Sequence, residues 1–586
     1  MTTRAELPVA DLAPILHTLA RLPELQRLRD IQSRFAIAED ALIQTIVEEA
    51  DRLASKVIAP LNADGERNPP HYQEGRVRTS DVHKDAWNHY AAGGWLSLDM
   101  DSDFDGQGLP LVLAVAIQEV FDRASPAFGM LPVPMRSAAR MISMFGDDDI
   151  RARWLPRLAS GEIGATICIS EVEAGSDVAR LRTVAEPAGD RWRITGEKQW
   201  ISFGDHDLTE TILHCVLACE AEAGGFSLFL VPCGPNEAGK TVVTRRLEEK
   251  LGLHLSPTCA LGFEGALGER LGAPGRGMAT IFGMITRMRL AVGAMGLGIA
   301  VSALDVAQAY AAERRQGGKA AQPVRIDTHP DVQRMLKRIS ATVIAFRNLL
   351  YTVAAHAELA EFEPDKEAAA TSQQLVQWLL PVIKTLGGEI AFDCASEAIQ
   401  VLGGAGYTAD WPIEQALRDA RVLTIFEGTT GIQAADLVQR GIWRGGSAGL
   451  GVFLKLIRDD LGHMVPEDRY LVEAALEILK QATQLVTPQD RGSEAASVAY
   501  LHLVGHCALA WAAIRQKSSG AVNEAESKAL DIELGTLRAR CELEAARIAT
   551  LTEHYRTGDR QTESAQSSET DSQRLYVLRP FGDIMV

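Results

Sequence analysis

The sequence predicts a mainly α-helical fold with a single β domain in the middle of the chain. Residues 41–163 are rich in helix formers, short β-prone runs follow from about Gly164, and long Ala-rich segments return from about Met278. A chain of 586 residues has room for about three to five domains. We expect an N-terminal extension and four domains: 1–40, 41–163 (helical), 164–277 (β), 278–445 (helical bundle) and 450–586 (additional helices).

The first helical domain is predicted from the run at 41–50, in which good helix formers give one broad apolar face. Pro60 and the Asn68-Pro69-Pro70 sequence interrupt this helical pattern. The glycine-rich stretch 103–108 is predicted as a loop, and apolar helix follows it. We therefore expect several helices before the β domain begins.

The β domain is predicted from short runs rich in β-branched and aromatic residues, separated by turns such as Gly224-Gly225. These runs are 165–169, 191–194, 211–217, 226–231 and 241–243. Their number and spacing are typical of one small domain. We expect a compact antiparallel sheet.

The second half of the chain is predicted to be helical throughout. Long helices with apolar faces are indicated over 290–315, 326–356, 364–400 and 430–444, and this number of helices suggests a bundle. The glycine-rich segment 444–449 is expected to be a linker to several more helices over 452–552. Residues 561–573 are polar and rich in Ser and Thr, and we expect this segment to be mobile.

Composition excludes several classes of function. The net charge is −18, from 59 Lys and Arg against 77 Asp and Glu, and an acidic surface repels nucleic-acid phosphates. We expect no membrane span, because no uninterrupted apolar run approaches the ~20 residues that a span requires. The N-terminus lacks a secretory signal, and the eight cysteines are scattered without a CxxC pair. These features favour a reducing cytoplasm over a disulfide or zinc framework.

Two motif matches fail in their context. Residues 234–241 fit the P-loop pattern GxxxxGK[ST], but the β-prone 242–244 follows where a helix is needed to aim N–H groups at phosphates. Residues 445–449 fit the GxSxG pattern of hydrolases, but a predicted helix precedes them instead of a strand. We interpret the first as a hairpin turn and the second as a linker. The histidines are isolated, so no metal site is predicted.

Three segments have the residues to hold a ligand. The polar loop 170–177 follows a predicted strand, and such loops can bring backbone N–H groups and hydroxyls to a ligand. Trp200 and Ser202 suit a planar ring, because an indole packs on it and a hydroxyl hydrogen-bonds to it. The helix that ends at Gly403-Gly404 permits close backbone approach. Taken alone, the loop 170–177 is better explained as an ordinary turn and Trp200 as a core tryptophan, and the glycines are compatible with an ordinary helix cap.

A fourth segment contains a candidate base. Glu427 lies between Phe426 and Gly428, just before a predicted helix start where Thr430 and Gln433 fit a capping box. A carboxylate that is partly withdrawn from water there would have a raised pKa and could act as a base near neutral pH. The helix N-terminus would oppose that rise and favour an anionic ligand. Taken alone, this segment favours the alternative, a solvated loop glutamate.

Taken together, the order, composition and spacing of these segments over roughly 40–445 resemble those of the acyl-CoA dehydrogenase family of flavoproteins. Residues 168–177 and 400–419 are similar to two family signatures, and Glu427-Gly428-Thr429 is similar to the catalytic loop. The resemblance implies an N-terminal helical domain, a middle β-barrel and a four-helix bundle. Residues 450–586 resemble the extra helical domain of a long subgroup, in which many members act on 3-methylthiopropanoyl-CoA and others on fatty acyl-CoAs.

This resemblance implies FAD-dependent α,β-dehydrogenation of an acyl-CoA to the trans-2-enoyl-CoA. Glu427 would remove the α proton while the β hydrogen leaves as hydride to FAD. The backbone N–H of Glu427 and a flavin ribityl hydroxyl would stabilise the enolate. The residues implied to contact FAD are Ser170, Trp200, Ser202, Arg314, Gln400, Gly403, Gly404 and Thr429. The residues implied to contact the acyl-CoA are Ser176, Arg289, Phe426 and Gly428.

Four positions depart from the common family pattern. Val172 replaces a usual Pro, Phe203 a usual Asn, Gly317 an aromatic residue and Gly431 a usual Gln. Arg289 and Arg314 are expected on one continuous helix.

Two alternative hypotheses about the function remain. An acyl-CoA oxidase would pass electrons to O₂, and a non-catalytic flavin or acyl-CoA binding protein would not need Glu427. The resemblance implies electron-transfer flavoprotein as the electron acceptor, a role in fatty acid β-oxidation, and a homodimer. It leaves the acyl-chain length open, although helices within 94–145 and Phe426 are expected to line the acyl pocket.

Overall fold

The computed structural model describes residues 5–220, 223–235, 241–319, 322–462 and 466–566, with side chains up to residue 556. Within these residues the chain forms two compact units. One unit contains residues 5–47 and 292–566, and the other contains residues 48–291. The predicted fold class, mainly α with a central β domain, is confirmed.

The helices are α1 (Ala13–Ala20), α2 (Pro23–Ile31), α3 (Asp40–Leu53), α4 (Ala59–Arg67), α5 (Asp81–Ala92), α6 (Leu111–Ala124), α7 (Pro126–Gly129), α8 (Pro132–Phe145), α9 (Asp148–Ala159), α10 (Gly277–Glu313), α11 (Pro330–Phe362), α12 (Lys366–Leu402), α13 (Ile413–Ala420), α14 (Thr430–Asp436), α15 (Ala448–Leu461), α16 (Pro466–Val486), α17 (Arg491–Ser519), α18 (Glu524–Gly535) and α19 (Leu537–Gln566). The strands are β1 (His71–Gln73), β2 (Arg76–Arg78), β3 (Ile163–Cys168), β4 (Val184–Ala188), β5 (Arg191–Ser202), β6 (Thr211–Glu220), β7 (Gly225–Cys233), β8 (Val242–Leu247) and β9 (Thr258–Leu271).

Five strands of the unit 48–291 close into a barrel. Strand β6 pairs with β4 and β7, β5 pairs with β4 and β9, and β7 pairs with β9. Strand β3 extends the sheet beside β6, and β8 extends it beside β9. Apolar side chains that include Ile194, Val216, Phe229 and Phe263 form the buried core of this barrel. The β-barrel that the resemblance implied is therefore present.

The prediction of a purely antiparallel sheet is wrong, because β6 pairs in parallel with both β3 and β4. Parallel neighbours need a long connection, and the segment between β3 and β6 provides one by contributing β4 and β5. The predicted hairpin turn at 234–241 is also corrected: β7 and β8 both pair with β9 rather than with each other. Residues 236–240 lie outside the described residues.

The other unit is built from long helices. Helices α11 and α12 pack along each other, and α17 packs against α11, α16 and α19. At one crossing, a Cβ added to Gly296 of α10 would lie 2.0 Å from the carbonyl oxygen of Gly387 in α12. Only glycine permits this backbone approach. The helices after residue 448 thus share a unit with the predicted bundle helices, and the predicted domain boundaries stay a prediction.

Three helical segments contradict the expectation that no apolar segment is long enough to span a membrane. Gly277–Glu313, Lys366–Tyr407 and Arg491–Ser519 are long and apolar enough by length and composition. Their most apolar windows are 83%, 83% and 78% buried inside the protein. Helices that contribute to a core on several sides are apolar nearly all round, which explains the resemblance to membrane spans. The expectation for 561–573 is tested only in part: α19 continues to Gln566, and the later residues are not described.

Candidate active site

Glu427 lies in a tight turn that connects the short 3-10 helix Arg421–Thr424 to α14. The φ angles are +53° for Glu427 and +90° for Gly428, so both residues are left-handed. This region is costly for a residue other than glycine. The Glu427 side chain is exposed, which agrees with the solvated loop glutamate and not with a partly buried carboxylate. The reason is local: Leu423 in the same run is fully buried, but Ile425 is already 50% exposed, so the chain reaches the surface before Glu427.

The helix after this turn begins one residue earlier than its predicted start. Thr429 is the N-cap, and its hydroxyl accepts a hydrogen bond from the backbone N–H of Ile432. The predicted capping box between Thr430 and Gln433 is wrong. Gln433 instead donates from Nε2 to the carbonyl oxygen of Glu427 at 2.9 Å. The Gln433 side chain therefore stabilises the turn that carries the candidate base.

Two buried side chains at this turn were not predicted. Lys384 of α12 donates from Nζ to the carbonyl oxygen of Gly428 at 2.6 Å, and its Nζ lies 6.0 Å from the ring centre of Phe426. Lys384 and Gln433 both have an exposed fraction of 0%. The sequence did contain a signal for Lys384, which is the single charged residue in the mainly apolar run 375–388. Charges in such positions are rarely fully buried unless they have partners.

The glycine-rich end of α12 forms an open surface. Gly403 is left-handed with a φ angle of +61°, which explains the glycine at this position. A Cβ added at Gly404 would meet no atom within 4 Å, so packing within the chain does not require glycine there. Gln400 is exposed, and Tyr407 is 85% exposed. This surface is accessible to a molecule outside the chain.

Arg289 lies in α10 and Arg314 directly follows its last residue, with the Arg314 backbone N–H still donating to the Tyr310 carbonyl as in a helix, so the expected continuous helix stops one residue short of Arg314. The chain leaves the helix at Glu313, and the Arg314 carbonyl accepts from the backbone N–H of Ile326. Within the described ranges the exposed Arg314 guanidinium has no hydrogen-bond or ion-pair partner, and it could bind a phosphate. Gly317 in the same loop has a φ angle of +75°, which explains why this chain lacks an aromatic residue there.

In the unit 48–291, a buried ion pair joins two of the predicted ligand-binding segments. Lys198 Nζ contacts Glu171 Oε1 at 2.8 Å and donates to the carbonyl oxygen of Ile169 at 2.9 Å. Burial lowers the pKa of Lys198, and Glu171 opposes this shift. Burial raises the pKa of Glu171, but hydrogen bonds from Lys198 and Thr183 lower it overall. The backbone N–H of Gln199 also donates to the Ser170 carbonyl, so the two segments lie side by side.

Trp200 and Phe203 both have left-handed backbones, with φ angles of +64° and +49°. Trp200 lies at an irregularity in the β5–β9 register and is 58% exposed, and Ser202 is half-buried. Phe203 is fully buried, with its ring centre 5.7 Å from that of His206. Asn adopts left-handed conformations more readily than Phe, so tight packing must hold Phe203 in this strained conformation.

The two remaining predicted substrate residues of this unit lie on different kinds of element, one in a loop and one in a helix. Ser176 is exposed in the loop after β3, and Arg289 is half-buried in α10. The Glu171 N–H donates to the Ala174 carbonyl and closes the turn that carries Val172. Because Val172 is 81% exposed, the packing of this turn does not depend on a proline there.

A small cavity lies among α5, α6 and α8 of the same unit, with Tyr90, Phe121 and Val133 in its wall. Asp122 in this wall is fully buried and accepts from Gln118 Nε2 at 3.1 Å, whereas its Oδ1 has no partner among the described residues. Burial raises the pKa of Asp122 well above its usual value, although the hydrogen bond from Gln118 and the charge of Arg136 oppose this shift. Arg136 also lines the cavity and pairs with Asp99 at 2.9 Å, so the wall combines apolar side chains with buried polar and charged groups.

The competing motifs are not supported by the structure. The GxSxG match at 445–449 follows helical residues, as predicted, and its Ser447 precedes α15. The segment after the P-loop match is strand β8 rather than a helix. Over the described residues, no group of three or more His, Cys, Asp or Glu side chains could hold a metal ion.

Comparison with known proteins gives matches along most of the chain. Residues 43–162, 166–266 and 275–442 match the family models for the N-terminal, middle and C-terminal domains of acyl-CoA dehydrogenase. The chain is 33% identical to 3-methylmercaptopropionyl-CoA dehydrogenase of Ruegeria pomeroyi, over 86% of this chain and 90% of that protein. It is 32% identical to the broad-specificity linear acyl-CoA dehydrogenase FadE5 of Mycobacterium tuberculosis, over 80% and 84%.

The fold is also similar to that of a solved structure. An acyl-CoA dehydrogenase from Bacillus anthracis, crystallised with FAD, superposes with a TM-score of 0.72 at 22% identity. The similarity covers 92% of this chain and 92% of that chain, so it includes the helices after residue 448. Together with the three domain matches, these similarities show that the chain belongs to the acyl-CoA dehydrogenase family of oxidoreductases.

Proposed function

We propose that this protein is an FAD-dependent dehydrogenase that converts an acyl-CoA to the trans-2-enoyl-CoA, with Glu427 as the base. The observation that carries the proposal is the turn at Glu427. It presents an exposed carboxylate on a left-handed backbone whose carbonyl groups are held by buried side chains. Such a conformation is costly, and turns of this kind concentrate at functional sites.

The proposed reaction begins with transfer of the α proton of the acyl thioester to the Glu427 carboxylate. The backbone N–H of Glu427 would donate to the thioester carbonyl and stabilise the negative charge that develops on its oxygen. FAD supplies the acceptor for the β hydrogen, which leaves with its electron pair as the double bond forms. Phe426 and Gly428 would border the acyl group on either side of the base.

Several residues of this chain fit an FAD molecule. The exposed guanidinium of Arg314 suits a pyrophosphate, and the open backbone at Gly403 and Gly404 leaves room for a ligand. Trp200 offers an exposed ring for a planar ligand. The proposed FAD contacts are Ser170, Trp200, Ser202, Arg314, Gln400, Gly403, Gly404 and Thr429.

We infer that the substrate is a fatty acyl-CoA or 3-methylthiopropanoyl-CoA, and that Ser176 and Arg289 contact it. The names of the two relatives support these two substrate classes. We further propose electron-transfer flavoprotein as the electron acceptor, a cytoplasmic location and a homodimer. These proposals follow from family membership.

The function is tested by an anaerobic absorbance titration of the purified protein with acyl-CoAs from short to long and with 3-methylthiopropanoyl-CoA. We expect a flavin spectrum that bleaches with one class of acyl chain. A flavin that never bleaches with any of them would favour a non-catalytic binding protein. No flavin after addition of FAD would contradict the proposal. Rapid reoxidation of the bleached flavin by air would favour an acyl-CoA oxidase.

The cavity at Val133 provides a prediction about acyl-chain length. If this cavity receives the distal end of the acyl chain, Val133→Phe should fill it and reduce kcat/KM for the longest accepted acyl-CoA by about 10- to 200-fold per excluded methylene. The shortest substrates should be unaffected. The measurement is kcat/KM across a series of chain lengths. Val9→Phe is the matched control, because Val9 is 92% exposed. An unchanged chain-length profile in Val133→Phe would place the acyl chain elsewhere.

A further inference from the structure

Two side chains that are buried within the helical unit hold the backbone of the turn that carries Glu427. Gln433 Nε2 donates to the carbonyl oxygen of Glu427 at 2.9 Å, and Lys384 Nζ donates to the carbonyl oxygen of Gly428 at 2.6 Å. The two contacts restrain consecutive peptide groups. The orientation of the Glu427 side chain is thereby fixed from the backbone side, whereas the carboxylate itself is left exposed.

The backbone of this turn needs such restraint. A left-handed conformation at a residue other than glycine is strained and persists only where its surroundings enforce it. The turn also fits closely against its supports. A Cβ added at Gly428 would lie 2.8 Å from Gln433 Nε2. The chain just before the turn is equally close to α12, since a Cβ at Gly388 would lie 2.9 Å from the backbone of Leu423.

The chemical identity of Lys384 is informative. A carbonyl oxygen can be satisfied by a neutral donor, and burial of an ammonium group carries a large desolvation cost. Compared with a neutral donor, a lysine at this position adds a positive charge, which is hydrogen-bonded to the carbonyl of Gly428, the residue next to Glu427. A nearby positive charge stabilises the ionised form of a carboxylate, which is the form that can accept a proton.

We propose that Lys384 and Gln433 are positioning residues for the Glu427 base, and that the Lys384 ammonium also keeps this base ionised. The proposal rests on the proposed function. Gln433 contributes geometry alone, whereas Lys384 contributes both geometry and charge. The two residues therefore differ in the effect that their replacement has on the pH dependence of the reaction.

The test compares Lys384→Met, Lys384→Arg and Gln433→Met in the FAD-loaded, full-length protein. Lys384→Met should lower kcat by about 10- to 100-fold, because small misplacements of a reacting group have effects of this size. KM should change less than threefold. The acid limb of the kcat–pH profile should move to higher pH, since the ionised base loses a stabilising charge. Lys384→Arg should restore the position of that limb.

Gln433→Met separates geometry from charge. It should lower kcat without moving the acid limb. Lys366→Met is the matched control, because Lys366 is an exposed lysine on the same helix, and it should leave kcat and the pH profile unchanged. Flavin content and far-UV circular dichroism verify that each variant is folded.

Three outcomes would overturn the proposal. The first is a folded Lys384→Met protein with normal kcat and an unshifted acid limb. The second is a failure of both Lys384→Met and Gln433→Met to fold, which would assign these residues to stability alone. The third applies if Lys384→Met fails to fold but Gln433→Met folds. In that case a normal kcat in Gln433→Met would overturn the proposal. Failure of the proposed function itself is recognised separately, because the flavin of the unmodified protein would then not bleach with any acyl-CoA, or Glu427→Gln would retain turnover.

Discussion

Replacement of Glu427 by Gln is expected to abolish dehydrogenation while the protein retains FAD and binds acyl-CoA. The amide has nearly the same shape as the carboxylate but cannot accept the α proton. Loss of a general base typically reduces the rate by at least 10²- to 10⁴-fold. The backbone of the turn should be retained, because Lys384 and Gln433 hold it through the carbonyl oxygens of Gly428 and Glu427, which the substitution keeps.

The measurement is the rate of anaerobic flavin bleaching by a saturating acyl-CoA, followed by stopped-flow absorbance. Binding is followed independently through the shift of the flavin spectrum before reduction. Glu473→Gln is the control, because Glu473 is an exposed glutamate of α16 whose surface pair with Arg469 contributes little stability. Turnover by Glu427→Gln at a rate close to that of the unmodified protein would exclude Glu427 as the base.

The classes and order of the elements could be predicted from sequence because they depend on local pattern. Helix periodicity and composition act over a few turns, and strands such as β6 and β7 stand out as short β-prone runs bounded by turn residues. The end of α12 at Gly403 was predictable for the same reason, since a left-handed cap favours glycine. The family resemblance then supplied the barrel, which periodicity alone does not specify.

The features that the sequence did not predict depend on contacts between distant residues. The parallel pairing of β3 with β6 is set by the path of the intervening chain. The contact of Lys384 with Gly428 joins residues on two different elements. Gln433 could bond either to Thr430, in a capping box, or to the carbonyl oxygen of Glu427, as it does. Both partners are close to Gln433 in sequence, so local pattern does not decide between them. Tertiary packing of the left-handed turn decides between them.

The N-terminal extension is attached to the C-terminal helices by a cluster of ionic groups around Glu24. The Glu24 carboxylate lies 2.8 Å from Arg515 of α17 and 3.5 Å from His356 of α11. The side chains of Glu24, Arg515 and His356 are only 13%, 11% and 11% exposed. Next to this cluster, Gln516 Nε2 donates to Thr18 Oγ1 at 2.7 Å. Helix α2 therefore connects one predicted bundle helix to one helix of the additional segment.

Glu24→Gln is expected to destabilise this unit by about 3 kcal/mol at pH 7, because it removes the nearer of the two carboxylates that pair with the buried Arg515 and leaves only Asp460, at 3.9 Å. Burial raises the pKa of Glu24, but Arg515 and His356 lower it to about 2 overall, against an ordinary value of 4.5. A depressed pKa in the folded state stabilises the protein fully above pH 4.5. This stabilisation is lost as the pH falls from 4.5 towards 2.

The measurement is thermal unfolding of the unmodified protein and of Glu24→Gln at pH values from 7 to 3. The difference in stability should be largest at pH 7 and should shrink below pH 4.5, where protonation of Glu24 makes the unmodified protein resemble the variant. Glu39→Gln is the matched control, because Glu39 is exposed near the same extension and should show little effect at any pH. A difference that stays constant from pH 7 to pH 3 would mean that the shape of the side chain, rather than its charge, holds the extension in place.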